Sequence, residues 1–387
     1  MKHFTLPKEG GLIEKDIPAD ILHSYEKIRT EIYEQSSVAS DKIADIIVNA
    51  INSCKDRNFK LGLTTGKTPA SLYARLTQLY KEGKVSFKNV EVFSIDEYYP
   101  YGRKAPQSRN QILHTSLLNA VDIKEENIHI PDGSIAPEKV SEYCAEFDKL
   151  ARGLDLLVIG MGEHGQVGFN EAGSSPSSRT RTVLLSYQSR KRQGKNFNGD
   201  FKHTPSEAIT LGLDTMHSAK KIILMAWGED KANAVKNVVE NAADLNYPAS
   251  FLQTHPDITC YVDETAASLM TRVVSPWLVG PCDWTRKFIR KAVVWLCQEV
   301  HKPILKLTLN DYLEHSLGEL IDKFGPYDKI NIEVFNDLQH TITGWPGGKP
   351  NADDSQRPVP ALPFPKTVLI FSPHPDDDVI PMGGTFI

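Results

Sequence analysis

Five groups of residues in this chain have the types and spacing to do chemistry. Asp96 and Glu97 stand together in Ser94-Ile-Asp-Glu-Tyr98, at the end of the apolar run Val90 to Ile95. A carboxylate there works as a general base when burial raises its pKa toward neutrality. The two side chains point different ways, so one of the pair is expected to do that work; an isolated Asp-Glu pair also serves as a helix cap or loop acid. Gly62-Leu-Thr-Thr-Gly-Lys-Thr-Pro69 is a glycine-rich turn between a strand and a helix, with backbone N–H groups suited to a phosphate. Gly160-Met-Gly-Glu-His-Gly-Gln-Val-Gly-Phe-Asn-Glu171 is a loop whose His164, Gln166 and Glu171 can hydrogen-bond a polyol or carry protons. Arg179, Arg181, Arg190, Lys191, Arg192, Lys195 and Lys231 can clamp an anion opposite the glycine turn. Most of these read as a solvated face; Lys231, in Gly228-Glu-Asp-Lys231 after a strand, is the better phosphate residue. Finally, Ser372-Pro-His374-Pro-Asp376-Asp-Asp378 gathers groups that suit a divalent metal, although two ligands do not complete a site.

Spacing argues against two nucleotide readings. Gly62 lies one residue too close to Gly66-Lys67-Thr68 for the G-x4-GK-[ST] pattern, so a smaller phosphate site is expected. Gly160, Gly162 and Gly165 match GxGxxG after a strand, but no helical pattern follows, and Arg179 and Arg181 lie where a dinucleotide site needs an acid.

The elements that must position these groups alternate between helix and strand. Ser36 to Lys55 carries Val38, Ile43, Ile46, Ile47 and Ile51 at helical spacing. Phe59–Leu63, Val90–Ile95, Leu154–Ile159, Lys221–Ala226 and Ile258–Val262 are short apolar runs of strand length, the pattern of a parallel sheet whose ligands bind at the strands' carboxyl ends. Thr68 and Pro69 are expected to open the helix after the first run, and Gly83 to stop it. Beyond Asp283, helices are expected over Trp284–Val300 and Asn310–Phe324, the latter capped by Asn310 or Asp311. Thr343 to Lys366, with six prolines, reads as a linker, and Thr367 to Ser372 as a further strand. The expected domains are 1–275, a helical extension 276–342, the linker 343–366, and 367–387.

The 387 residues carry a formal charge of −5, which excludes a generally basic nucleic-acid coat, and no apolar run is long enough for a membrane span. Neither nucleic acid nor membrane is expected as a partner. The five cysteines are scattered and no apolar signal core opens the chain, so reduced thiols and a cytoplasmic location are expected.

From about Asp16 to Thr271 the chain resembles the glucosamine-6-phosphate deaminase (isomerase) family. LGLTTGKTP, VSFKNVEVFSIDEYYP, GMGEHGQVGFNEAGS followed by SRTR, AITLGLDTM and GEDKANAV carry the likeness, in the family's order and spacing. The resemblance implies an α/β fold: a modified Rossmann-like, mostly parallel sheet with helices on both faces, here with a C-terminal helical extension. It implies conversion of glucosamine 6-phosphate and water to fructose 6-phosphate and ammonia, with no nicotinamide, metal or other cofactor. A sugar phosphate is the implied small-molecule partner, and a homo-oligomer is expected. Asp96 falls at the position of the base that moves a proton between C2 and C1. Thr65, Gly66, Lys67 and Thr68 fall where the sugar phosphate binds. Lys231 matches the phosphate-binding lysine, Lys195 falls near an arginine with the same task, and Glu171 matches the acid that supports ring opening. Three positions depart from the pattern: Lys67 replaces Gly or Ser, His164 replaces the usual Asp, and Gln166 replaces the ring-opening His. Gln cannot act as an acid–base at neutral pH, so the expectation is either that His164 takes over the proton shuttle or, equally, that the protein acts on the open-chain sugar, prefers another amino-sugar phosphate, or is a weak catalyst. The altered positions leave a sugar-phosphate sensor as the rival reading, with a 6-phosphogluconolactonase as the third.

The end of the chain resembles a second family, the LmbE-like (PIG-L) deacetylases, whose opening strand and HPDD turn match Val368 to Asp378. By that resemblance His374 and Asp377 are zinc ligands and Asp376 a base. A further His ligand of that family is absent from residues 367–387, so they read as the start of such a domain, either truncated or vestigial, and no metal-dependent activity is expected.

Overall fold

The computed structural model describes residues 11–12, 17–197, 199 and 201–343. The strand Thr367 to Ser372, the turn with His374, Asp376 and Asp377, and the linker after Thr343 lie outside the described residues. In chain order the strands are β1 (Gly11–Leu12), β2 (Arg29–Tyr33), β3 (Phe59–Leu63), β4 (Val90–Ser94), β5 (Asp96–Tyr99), β6 (Ile128–His129), β7 (Leu156–Gly160), β8 (Arg181–Leu184), β9 (Glu207–Thr210), β10 (Ile222–Ala226), β11 (Ile258–Asp263) and β12 (Cys282–Asp283).

Seven of them form one parallel sheet in the order β2-β11-β10-β7-β3-β4-β6. The apolar runs make sense in this setting, because a parallel strand covered on both faces has no solvent side. Along β10, Ile222, Leu224 and Ala226 enter one core while Ile223 and Met225 enter the other. The helix Ser36–Ser53 packs Ile43, Ile47 and Ile51 on the second of these cores; Val38 lies off that stripe and is exposed.

From β3 the chain steps outward through β4 to β6; from β7 it steps the other way through β10 to β11. The strand order therefore reverses between β3 and β7, the place where an open α/β sheet leaves a crevice at its carboxyl ends. The turn after β3 carries Thr65–Thr68 and the loop after β7 carries His164, Gln166 and Glu171. The two motifs flank that crevice from opposite sides.

Beyond β4 the chain passes through Ile95, whose N–H donates to the Leu63 carbonyl at 3.2 Å, into β5. A small antiparallel sheet, β5-β9-β8, pairs Asp96 with Thr210 and Thr210 with Arg181. This second sheet was not expected from the sequence.

A third core, built on Trp277, Trp284, Phe288, Leu296, Tyr312 and Leu320, belongs to the C-terminal extension. Here the expected single helix Asn310–Phe324 is two, Leu309–Glu314 and Gly318–Phe324, separated by Ser316 in the left-handed region (φ 61°). The cap is Thr308, in a reciprocal capping box with Asp311, rather than Asn310 or Asp311. A further helix, Tyr327–Thr343, follows. The first expected cap also fails. The helix after β3 spans Ala70–Lys81 with no side-chain cap, and the Thr68 carbonyl instead accepts from Trp227 Nε1 at 2.9 Å.

Candidate active site

The site is assembled from the turns and loops at the carboxyl ends of the central strands. Gly62 belongs to β3 itself, not to the turn: a Cβ there would stand 2.6 Å from Cδ1 of both Leu154 and Leu157, so this glycine serves sheet packing. Gly66 makes the turn, with φ at +114°. Gly66 and Lys67 are exposed, while the Thr65 hydroxyl is buried and has no hydrogen-bond partner among the described residues. The turn is held from β10 and β7, by Trp227 beyond β10 and by close contact of Thr68 with Gly160, where a Cβ would stand 3.3 Å from Thr68 Cβ.

Asp96 opens β5 and is 4% exposed. Its Oδ1 faces Arg109 Nε at 3.4 Å, and neither atom has a hydrogen-bond partner among the described residues. Burial pushes the carboxyl above its ordinary range, and Arg109 pulls it back down. Glu97 turns the other way. Its Oε1 accepts from the N–H groups of Tyr98 (2.8 Å) and Arg109 (2.9 Å), and its Oε2 from Asn110 N–H (3.0 Å). Glu97 is thus spent on the N-terminus of the helix Arg109–Ser116, where its charge meets the dipole and unpaired donors.

The loop after β7 lies against Asp96. Gly168 has φ of +57°, and a Cβ there would stand 2.8 Å from Thr210 Oγ1 and 3.5 Å from Asp96 Oδ2. Asn170 pins the loop by donating to the carbonyls of Val167 (3.0 Å) and Leu211 (2.7 Å) and accepting from Arg181 (3.0 Å). Gln166 lies over Gly162, which has no Cβ to obstruct it, and its Oε1 accepts from His164 N–H at 2.9 Å. Glu171 Oε2 accepts from Ser186 N–H at 3.1 Å, while Oε1 is buried and unpartnered among the described residues.

A cavity of about 520 Å³ opens beside this loop and brings together His164, Gln166, Glu171, Tyr187, Arg192 and Tyr247. Asp96, Thr65–Thr68, Lys195 and Lys231 do not line it. Asp96 lies against the loop at Gly168, and Lys231 is joined to the cavity wall through Glu163. Arg192 Nη2 meets Glu163 Oε2 at 2.9 Å, and Lys231 Nζ meets Glu163 Oε1 at 3.7 Å. Lys231 is mostly covered, whereas Lys195 is exposed on the turn after the helix Tyr187–Gln193. Three of the remaining basic residues have separate partners, and Lys191 is exposed. Arg179 pairs with Asp148, Arg181 with Asn170, and Arg190 lies over the Phe201 ring. Four residues of the site were missed from sequence: Tyr187 and Tyr247 of the cavity wall, Glu163 and Arg109. Glu163 carried no signal beyond lying in the loop, and Arg109 none beyond following Ser108, which caps its helix by accepting from Gln111 N–H at 3.0 Å. Among the described residues no group of three or more His, Cys, Asp or Glu side chains is gathered to hold a metal ion.

Residues 34–260 match the family described as glucosamine-6-phosphate isomerases/6-phosphogluconolactonase. A glucosamine-6-phosphate deaminase-like protein of Bacteroides thetaiotaomicron is 46% identical over 377 residues; the match takes in 96% of this chain and 57% of that protein. The chain therefore spans little more than half the length of that relative. The glucosamine-6-phosphate deaminase of Thermoanaerobacter pseudethanolicus is 37% identical over 246 residues, 63% of this chain and 94% of its own. Among solved structures, a monomeric glucosamine-6-phosphate deaminase superposes with a TM-score of 0.59 at 31% identity, covering 62% of this chain and all of that one.

Proposed function

The chain belongs to the glucosamine-6-phosphate isomerase/6-phosphogluconolactonase family, and on that premise we propose that it converts glucosamine 6-phosphate and water to fructose 6-phosphate and ammonia. The observation that carries the reading is the placement of Asp96. It is a buried carboxylate at the carboxyl end of the sheet, beside the strand-order reversal; Gly168 of the His164–Glu171 loop lies against its Oδ2, and the Thr65–Thr68 turn follows β3, the strand next to β4.

In this reading the phosphate binds at the turn and at Lys231, with Lys195 or Arg192 as a second cation. Asp96 takes the hydrogen from C2 of the open-chain sugar and returns a proton to C1, through an enol-type intermediate. The imine so formed at C2 takes up water and releases ammonia. A carboxyl group held above its ordinary pKa range by burial is a better proton acceptor than a solvated one.

His164 carries the ring-opening proton, supported by Glu171 across the same cavity. Gln166 hydrogen-bonds the sugar. A His164→Asn variant is then expected to slow ring opening by about 10²–10⁴-fold, the usual worth of a positioned acid–base group. The check is the rate with cyclic substrate in stopped-flow; an unchanged rate would remove His164 from the mechanism.

Gln166 favours a second reading, binding of the sugar phosphate without turnover, because an amide cannot exchange protons at neutral pH. The test of the main reading is paired measurement of ammonia and fructose 6-phosphate from glucosamine 6-phosphate. Equal amounts of both are expected. Binding without either product supports the sensor, and hydrolysis of 6-phosphogluconolactone in their place supports the lactonase.

A further inference from the structure

Arg109 is an unusual neighbour for a proton-accepting carboxylate. Its side chain is 8% exposed, and its guanidinium lies over two adjoining rings, 4.7 Å from the Tyr98 centroid and 5.2 Å from that of Phe169. Both rings offer a face to a cation. Its backbone is fixed as well. Ser108 caps the helix that Arg109 begins, and Glu97, next to Asp96, accepts the Arg109 N–H. The segments that carry Asp96 and Arg109 are thus tied by a second contact, between Glu97 and the Arg109 N–H.

The groups around Asp96 leave Arg109 as its counter-charge. Tyr73, from the helix Ala70–Lys81, faces the carboxylate and donates its own O–H to the Thr64 carbonyl. Tyr98 and Glu97 flank it along β5, and Thr210 and Gly168 approach from β9 and the loop. None of these is a cation. A carboxylate so far out of water, without a counter-charge, would take up a proton and cease to be a base. The two oxygens are also distinguished: Oδ1 faces Arg109, while Oδ2 faces the loop at Gly168.

We infer that Arg109 is a positioning residue: its ring-held guanidinium keeps the buried Asp96 carboxylate charged and turns Oδ2 toward the loop that borders the substrate. This rests on the role given to Asp96 above. It differs from a purely structural role, because Arg109 then sets the pH at which Asp96 begins to work.

The test uses the full chain as wild type, Arg109→Gln and Arg109→Lys, with circular dichroism to select folded protein. Two readouts are taken: the acid limb of kcat/KM for ammonia release, and the titration of the Asp96 carboxyl carbon by ¹³C NMR, assigned with Asp96→Asn. Removing an opposite charge at this range is expected to move both upward by about 1–3 pH units in Arg109→Gln. Arg109→Lys, with a charge but no planar fork, is expected to fall between that variant and wild type. A carboxyl titration unmoved in whichever variant folds overturns the inference, whatever happens to the rate. If wild type releases no ammonia, the reaction assigned to the site fails, and the NMR titration still decides the role of Arg109.

Discussion

Replacing Asp96 by Asn is expected to cut ammonia release by about 10²–10⁴-fold while leaving inorganic phosphate bound as in wild type. The amide has nearly the shape of the carboxylate, so the approach to Gly168 and the strand pairing with Thr210 are retained. What is lost is the proton acceptor at the start of β5. The substitution also leaves the Arg109 guanidinium buried without its counter-charge. Breaking a buried pair by removing one partner is destabilising, so a lower melting temperature is expected alongside the lost activity. Phosphate binding by calorimetry and thermal unfolding separate the two effects. A variant that unfolds only at higher temperatures than the assay, still binds phosphate and yet turns over at the wild-type rate would remove Asp96 from the chemistry.

The second large effect is expected at the cation pair. In this structure Lys231 and Arg192 share the carboxylate of Glu163, at 3.7 Å and 2.9 Å. A phosphate arriving there must draw them away from Glu163. Lys231→Met removes a charge-assisted contact of about 1.5–3 kcal/mol, which corresponds to roughly a 10- to 150-fold rise in KM for the sugar phosphate. Glu163→Gln works in the opposite direction: the cations lose an internal competitor, and KM is expected to fall several-fold with kcat little changed. Steady-state kinetics on the two variants check both signs together. A rise in KM for Glu163→Gln would mean that the carboxylate orients the cations rather than masking them. Phosphate affinity unchanged by Lys231→Met would place the anion site elsewhere.

The residues that announce this site are of two kinds. Phe59–Leu63, Leu156–Gly160 and Ile222–Ala226 were readable because a strand buried on both faces must be apolar throughout, and the crevice lies where such strands end. Asp96 and the loop of His164, Gln166 and Glu171 were readable for the same reason: Asp96 comes directly after the apolar run Val90–Ile95, and the loop after Leu156–Gly160. The small antiparallel sheet was not. Asp-Glu-Tyr-Tyr in β5 has no apolar alternation, and its strand character comes from pairing with β9, more than 100 residues away in sequence. The burial of Glu97 depends on a helix that begins at Arg109, and nothing local to either residue signals that meeting. Arg192 was one of several clustered bases, and only the tertiary fold distinguishes it from exposed Lys191 and Lys195. In the extension, the break at Ser316 falls between two apolar stretches without a proline or glycine at the break itself, so the pattern reads as one helix.

The central claim is that Asp96 removes the hydrogen from the carbon that bears nitrogen. It is tested most directly with glucosamine 6-phosphate deuterated at C2, monitored by mass spectrometry and NMR of sugar and water. Wild type is expected to move the label from C2 to C1 of fructose 6-phosphate or into solvent, with one ammonia released per sugar converted. Asp96→Asn is expected to leave the label in place while still binding phosphate. A wild-type protein that binds the sugar phosphate yet keeps deuterium at C2, or an Asp96→Asn variant that releases it at the wild-type rate, would contradict the account.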